Sequence, residues 1–126
     1  LDWLQQYNTN SKICWVAGFS FGAWVSMQLL MRRPEINGFI SVSPPANLRD
    51  FSFLAPCPSS GLIIHGDRDN IASFDSTKIL AEKLQKQKKA DIKFKAIKGA
   101  DHFYENYSVE FTSIVDNYIK DNLQSN

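Results

Sequence analysis

Charge of one sign is not in excess in this 126-residue chain: fourteen Lys and Arg stand against thirteen Asp and Glu, a formal net charge of +1. A balance this even leaves no electrostatic footprint for nucleic acid or for an anionic membrane surface, so neither is expected as a partner. The basic run Lys83, Lys86, Lys88 and Lys89 reads as the solvated end of a helix. Cysteine is scarce. Cys14 sits in an apolar run and Cys57 between Pro56 and Pro58, a spacing that suits neither a metal site nor a disulfide framework, and a reducing cytoplasm is the expected setting. Long hydrophobic runs are missing as well, since none approaches the ~20 residues a membrane helix needs. Leu1 to Gln6 lacks the basic and apolar regions of a secretory leader and reads instead as the last turns of a helix that runs to Tyr7.

What is present is an ordinary globular balance, 44% hydrophobic and 21% charged, suited to one small domain. The stretch on which the chain is organised is Gly18-Phe19-Ser20-Phe21-Gly22. It follows a strand-like run, Ile13 to Ala17, and opens into a helix-like run, Ala23 to Arg32, which Arg32-Arg33-Pro34 ends. A bare Gly-x-Ser-x-Gly is often only a flexible glycine-rich turn. Between a strand and a helix it becomes a sharp elbow that lifts the Ser20 hydroxyl clear and leaves the Phe21 N–H facing the place where an oxyanion would form.

Further along, Gly38 to Val42 and Leu62 to His65 read as short strands, the second apolar throughout as a strand covered on both faces should be. Ser43 to Ser60, with Pro44, Pro45, Pro56 and Pro58, reads as loop with at most a helical turn around Leu48 to Phe53, too short for a separate lid. Ser76 to Lys88 is predicted helical, with Asp75 or Ser73 as N-cap and Ile79, Leu80 and Leu84 inward. Asp91 to Ile97 alternates as an edge strand does, with Ile92, Phe94 and Ala96 set against Lys93 and Lys95. A last helix, from about Ser108 to Leu123, gathers Phe111, Ile114, Val115, Tyr118 and Ile119 on one face. Strand and helix alternate, so the fold class is α/β with a parallel sheet of about four strands and helices on both faces.

A serine hydroxyl is a poor nucleophile at neutral pH, so an elbow requires a histidine to accept its proton and a carboxylate to orient that histidine. The chain has two histidines, His65 at the end of one predicted strand and His102 in the loop after another, where groups of an open parallel sheet converge. In the order serine, acid, histidine, Ser20, Asp69 and His102 fit. His65 precedes the acid and reads as a structural residue hydrogen-bonded within its loop. Asp67 suits the tight turn that Gly66 permits, whereas Asp69 stands where the loop has cleared the strand. Asp101, adjacent to His102, reads as solvated.

With these residues in hand, the chain resembles the C-terminal part of the α/β-hydrolase superfamily, and within it the small lidless bacterial hydrolases related to dienelactone hydrolases and carboxylesterases. Gly18-Phe19-Ser20-Phe21-Gly22, His65-Gly66-Asp67-Arg68-Asp69 and Gly99-Ala100-Asp101-His102-Phe103 carry the resemblance, which covers the chain from about Lys12. It implies Ser20 as nucleophile, Asp69 as acid and His102 as base, with serine rather than the cysteine of some relatives favouring esterase chemistry on a small soluble ester-like substrate. No metal or organic cofactor is implied. Phe19, Phe21 and Phe103 are candidate walls of an acyl pocket and equally candidate packing residues. Superfamily members place several strands before the elbow, and a loop among them supplies a second oxyanion donor. Residues 1–126 are therefore expected to be one partial domain, its N-terminal strands missing and the strand Ile13 to Ala17 left as an open apolar edge. A catalytically silent binding or scaffold protein, and an acyltransferase, are the competing readings.

Overall fold

A computed structural model describes residues 5–9, 13–54, 57–87 and 90–124. One five-stranded sheet, in sequence order, runs from β1 (Gln5–Thr9) through β2 (Ile13–Phe19), β3 (Gly38–Val42) and β4 (Ser60–Gly66) to β5 (Ile92–Ile97). The last four strands are mutually parallel, and β1 is antiparallel to β2. Three helices complete the α/β arrangement: α1 (Phe21–Arg32), α2 (Phe74–Gln85) and α3 (Ser108–Gln124).

Alternation along the strands divides the core in two. From β2, Cys14 and Val16 face a cluster with Met27 and Leu30 of α1 and Ala81 and Leu84 of α2, whereas Trp15 faces the opposite layer under α3. β4 does the same, sending Ile63 to the first cluster and Leu62 and Ile64 to the second. Both faces are thus covered, which is why β3 is buried at every position and β4 at every position after Ser60. Phe111, Ile114, Val115, Tyr118 and Ile119 of α3 pack on the second cluster, as their spacing predicts.

Four expectations need correction. Gln5–Thr9 is a strand rather than the end of a helix, and residues 1–4 of that predicted helix lie outside the described residues. Its backbone pairs with β2 from Gln5 opposite Ala17 to Thr9 opposite Ile13, so β2 is not the open edge anticipated for it. The unpaired N–H and C=O groups of an apolar strand call for a partner, and a segment of only five residues satisfies them better extended than as an isolated helical turn. In α2, Ile79 is exposed and Thr77 and Ala81 are buried, because the helical period aligns Thr77, Ala81 and Leu84 on one face and carries Ile79 round to the opposite side. In β5, Ala96 is exposed, and Ile97 is buried against the α3 layer. Among the described residues no helix is long and apolar enough to cross a membrane.

The register decides where function is possible. Phe19 pairs with Val42, Val42 with Ile64, and Gly66 with Ile97, so four strands end along one edge and their following loops emerge together.

Candidate active site

Ser20 connects β2 to α1 with φ 56° and ψ −122°, a left-handed conformation costing on the order of 1–3 kcal/mol in a residue with a side chain. Its N–H is tied to the Val42 carbonyl at 2.7 Å, which holds the turn against the end of the neighbouring strand. Gly18 makes the turn sterically possible: a Cβ there would strike the Gly22 carbonyl and lie 2.8 Å from the Ala23 nitrogen. Phe21 is the first residue of α1, where N–H groups have no partner within the helix and the positive end of the helix dipole adds to them.

Two loops bring the other groups to this serine. His102, in the loop after β5, is 3% exposed; its Nε2 accepts from the Ser20 hydroxyl at 2.9 Å. Its Nδ1–H donates to Asp69 Oδ2 at 2.6 Å. The carboxylate of Asp69, in the loop after β4, is fully buried. Its other oxygen, Oδ1, accepts the N–H groups of Ile71 and Ala72, each at 2.8 Å, in a turn closed by the side chain. The carboxylate fixes the tautomer: Nδ1 carries the proton, leaving Nε2 free to accept one. A serine whose proton can pass to a histidine oriented by a buried carboxylate is equipped for nucleophilic attack.

Asp67 and Asp69 thus serve different ends. Asp67 Oδ1 accepts from the Gly99 N–H at 2.7 Å and staples the β4 loop to the β5 loop. Asp101 Oδ1 accepts from the Glu105 N–H at 3.0 Å and braces its own loop, a partner that adjacency to His102 did not suggest. His65 is wholly buried, its Nε2–H donating to the Ala72 carbonyl at 2.8 Å. Burial pushes its pKa below the ordinary histidine value, outweighing the nearby Ala72 carbonyl and Asp69 carboxylate that act the other way.

Aromatic rings flank His102. Phe19 lies 5.2 Å from the imidazole, centroid to centroid, and Phe103 meets it edge-on at 5.0 Å. Both rings border an apolar cavity of about 380 Å³ that Ile40, Val42 and Phe111 also line. Phe21 is 47% exposed beside Trp24, with the Arg49 guanidinium 5.1 Å over its ring. No group of three or more His, Cys, Asp or Glu side chains among the described residues is placed to hold a metal ion.

Sequence reasoning missed one pair beneath the site. Ser43, directly after β3, and Tyr104, two residues beyond His102, share a 2.8 Å hydrogen bond in the buried interior. Tyr104 also reaches the Ile64 carbonyl at 3.2 Å, and the Ser43 hydroxyl lies 3.4 Å from the His102 carbonyl. Both residues have positive φ, 50° and 56°. Burial drives the Tyr104 pKa far up, so its phenol is a permanent donor. A Ser following a strand and a Tyr in a loop carry no local pattern that announces such a partnership.

Among known proteins, the chain matches the dienelactone hydrolase family over residues 1–123. It is 50% identical over 130 residues to an uncharacterized protein of Rickettsia prowazekii, covering 100% of this chain and 54% of that one. A crystal structure of a protein of unknown function from Agrobacterium tumefaciens, described as a candidate α/β hydrolase, superposes with a TM-score of 0.89 at 52% identity, over 92% of this chain and 53% of the other. An α/β serine hydrolase without a lid, from Xanthomonas campestris, gives a TM-score of 0.73 at 29% identity over 84% of this chain and 46% of that one. The chain spans about half the length of these relatives.

Proposed function

The chain belongs to the dienelactone hydrolase family, and from that premise we propose that it hydrolyses an ester or related acyl bond of a small soluble substrate through an acyl-enzyme on Ser20. The hydrogen-bonded chain from Ser20 through His102 to Asp69, at 2.9 and 2.6 Å, is the observation that carries this reading. Ser20 Oγ attacks the acyl carbon as His102 Nε2 takes its proton, and the resulting oxyanion is received by the Phe21 N–H. The tetrahedral adduct collapses, the alkoxide leaves with the proton from His102, and the acyl group stays on Ser20. Water then attacks the acyl-enzyme, giving its proton to His102. The second adduct releases the carboxylic acid and returns the proton to Ser20 Oγ. Asp69 holds the imidazole in one tautomer and stabilises its charged form throughout.

Phe19 and Phe103 form the wall against which an acyl group would rest, a reading supported by their contact with His102 and the exposure of Phe103. No cofactor enters these steps. Both cysteines are free thiols, in keeping with a reducing cytoplasmic setting.

Intact-mass detection of labelling by a fluorophosphonate on the full chain tests the proposal. One adduct per chain is expected, and it should vanish in Ser20→Ala and in His102→Ala. A folded wild-type protein that takes no label overturns the reading.

A further inference from the structure

Asp69 is held by more than the histidine that faces Ser20. His65 is the penultimate residue of β4, so its side chain is carried beneath the loop that presents the carboxylate. Its Nε2 sits 2.8 Å from the Ala72 carbonyl, and a carbonyl can only accept, so the proton of this ring is on Nε2. The same nitrogen lies 3.2 Å from Asp69 Oδ2, the oxygen that also receives His102. Ala72 closes the ring of contacts: its carbonyl takes the His65 N–H while its own N–H goes to Asp69 Oδ1.

The remaining ring nitrogen, His65 Nδ1, is buried and has no hydrogen-bond partner. An orphaned buried acceptor is destabilising, a cost that an aliphatic side chain of similar volume would avoid. Packing alone therefore argues against histidine here; the N–H at Nε2 is what an aliphatic residue cannot supply. We propose that His65 is a positioning residue for the Asp69 carboxylate, a second imidazole on the oxygen that orients His102. The neutral ring has a single N–H, given first to the Ala72 carbonyl at 2.8 Å and shared at the longer 3.2 Å with Asp69 Oδ2. The ring is faced by Asp69 from its own loop, by His102 from the loop after β5 and by the edge-on ring of Phe74 at 6.0 Å from α2. Its kinetic consequence rests on the hydrolase reading; its geometric one does not.

Three variants of the full chain separate the roles: His65→Leu fills the volume without a donor, His65→Asn has a donor too short to reach, and His65→Gln restores an N–H at the ε position. On p-nitrophenyl acetate, Leu and Asn should lower kcat on the order of tenfold while KM stays within about twofold, the pattern of a misplaced proton acceptor. Gln should recover most of the loss. Without the His65 donor the carboxylate binds His102 more strongly, so the acidic limb of kcat/KM should move to higher pH in Leu and Asn and stay in place in Gln. The downfield proton resonance of the His102 Nδ1–H, identified by its loss in His102→Ala, should shift in the same two variants and not in Gln. Folded Leu and Asn variants with wild-type kcat, pH limb and resonance overturn the proposal, and so does a Gln variant as impaired as they are. If Leu does not fold, the Asn and Gln pair decides. If the wild type turns over no ester and takes no label, the hydrolase reading falls, and the resonance still decides whether His65 positions Asp69.

Discussion

Ser20 holds a conformation that L-residues avoid, and the strand end, the helix start and Gly18 together impose it. Gly18→Ala places a methyl group against the Gly22 carbonyl, so the elbow must open. The expected outcome is a lower thermal midpoint together with loss of fluorophosphonate labelling, read on the same sample. Asp69→Asn keeps the shape of the acid but presents His102 with the wrong tautomer, and kcat should fall on the order of 10⁴-fold with little change in KM. Ser20, Asp69 and His102 can be picked from the sequence because each sits in a local pattern: a glycine-flanked turn, an acidic loop after an apolar strand, a histidine loop before a helix. Ser43 and Tyr104 cannot. Their positive φ values fall on residues that do not advertise them, and their bond spans 61 positions, a distance over which no periodicity speaks.

Elements repeat the lesson in another form. β2, β3, β4, α1 and α3 are legible because burial on one face or two leaves a strong imprint on residue type. β1 is not, since its reason for being extended is the unpaired backbone of β2 rather than anything in Gln5–Thr9. The start of α2 is set by Ser73, whose hydroxyl accepts the Ser76 N–H at 3.1 Å. Ser73→Ala should cost about 1 kcal/mol, measured by urea unfolding, and should leave the labelling rate unchanged. The tie between the end of β3 and the loop after β5 is heavier. Tyr104→Phe strips the donor from the Ile64 carbonyl and the partner from Ser43, both buried, and should destabilise by about 1–3 kcal/mol. Labelling should slow as well, because the same loop carries His102.

For the whole molecule, acid is the revealing variable. Burial holds the pKa of His65 below the ordinary value of about 6.5, so below that pH the unfolded chain takes up a proton that the folded chain resists. Its contribution is therefore fully present above about pH 6.5 and is lost progressively as the pH falls toward the lowered folded value. His65→Gln carries no such group, and its urea midpoint should fall less between neutral and mildly acidic pH than that of the wild type. Equal acid sensitivity in the two proteins would assign the loss to other groups.

The Ser20 and His102 side chains that meet at 2.9 Å are 82 positions apart in the chain, with β3, β4 and β5 between them. During synthesis, the elbow leaves the ribosome long before the base that would activate it. On the proposed reading, a growing chain thus carries an inert alcohol at Ser20 until β5 has docked on β4 and the loop after it has brought His102 to the elbow.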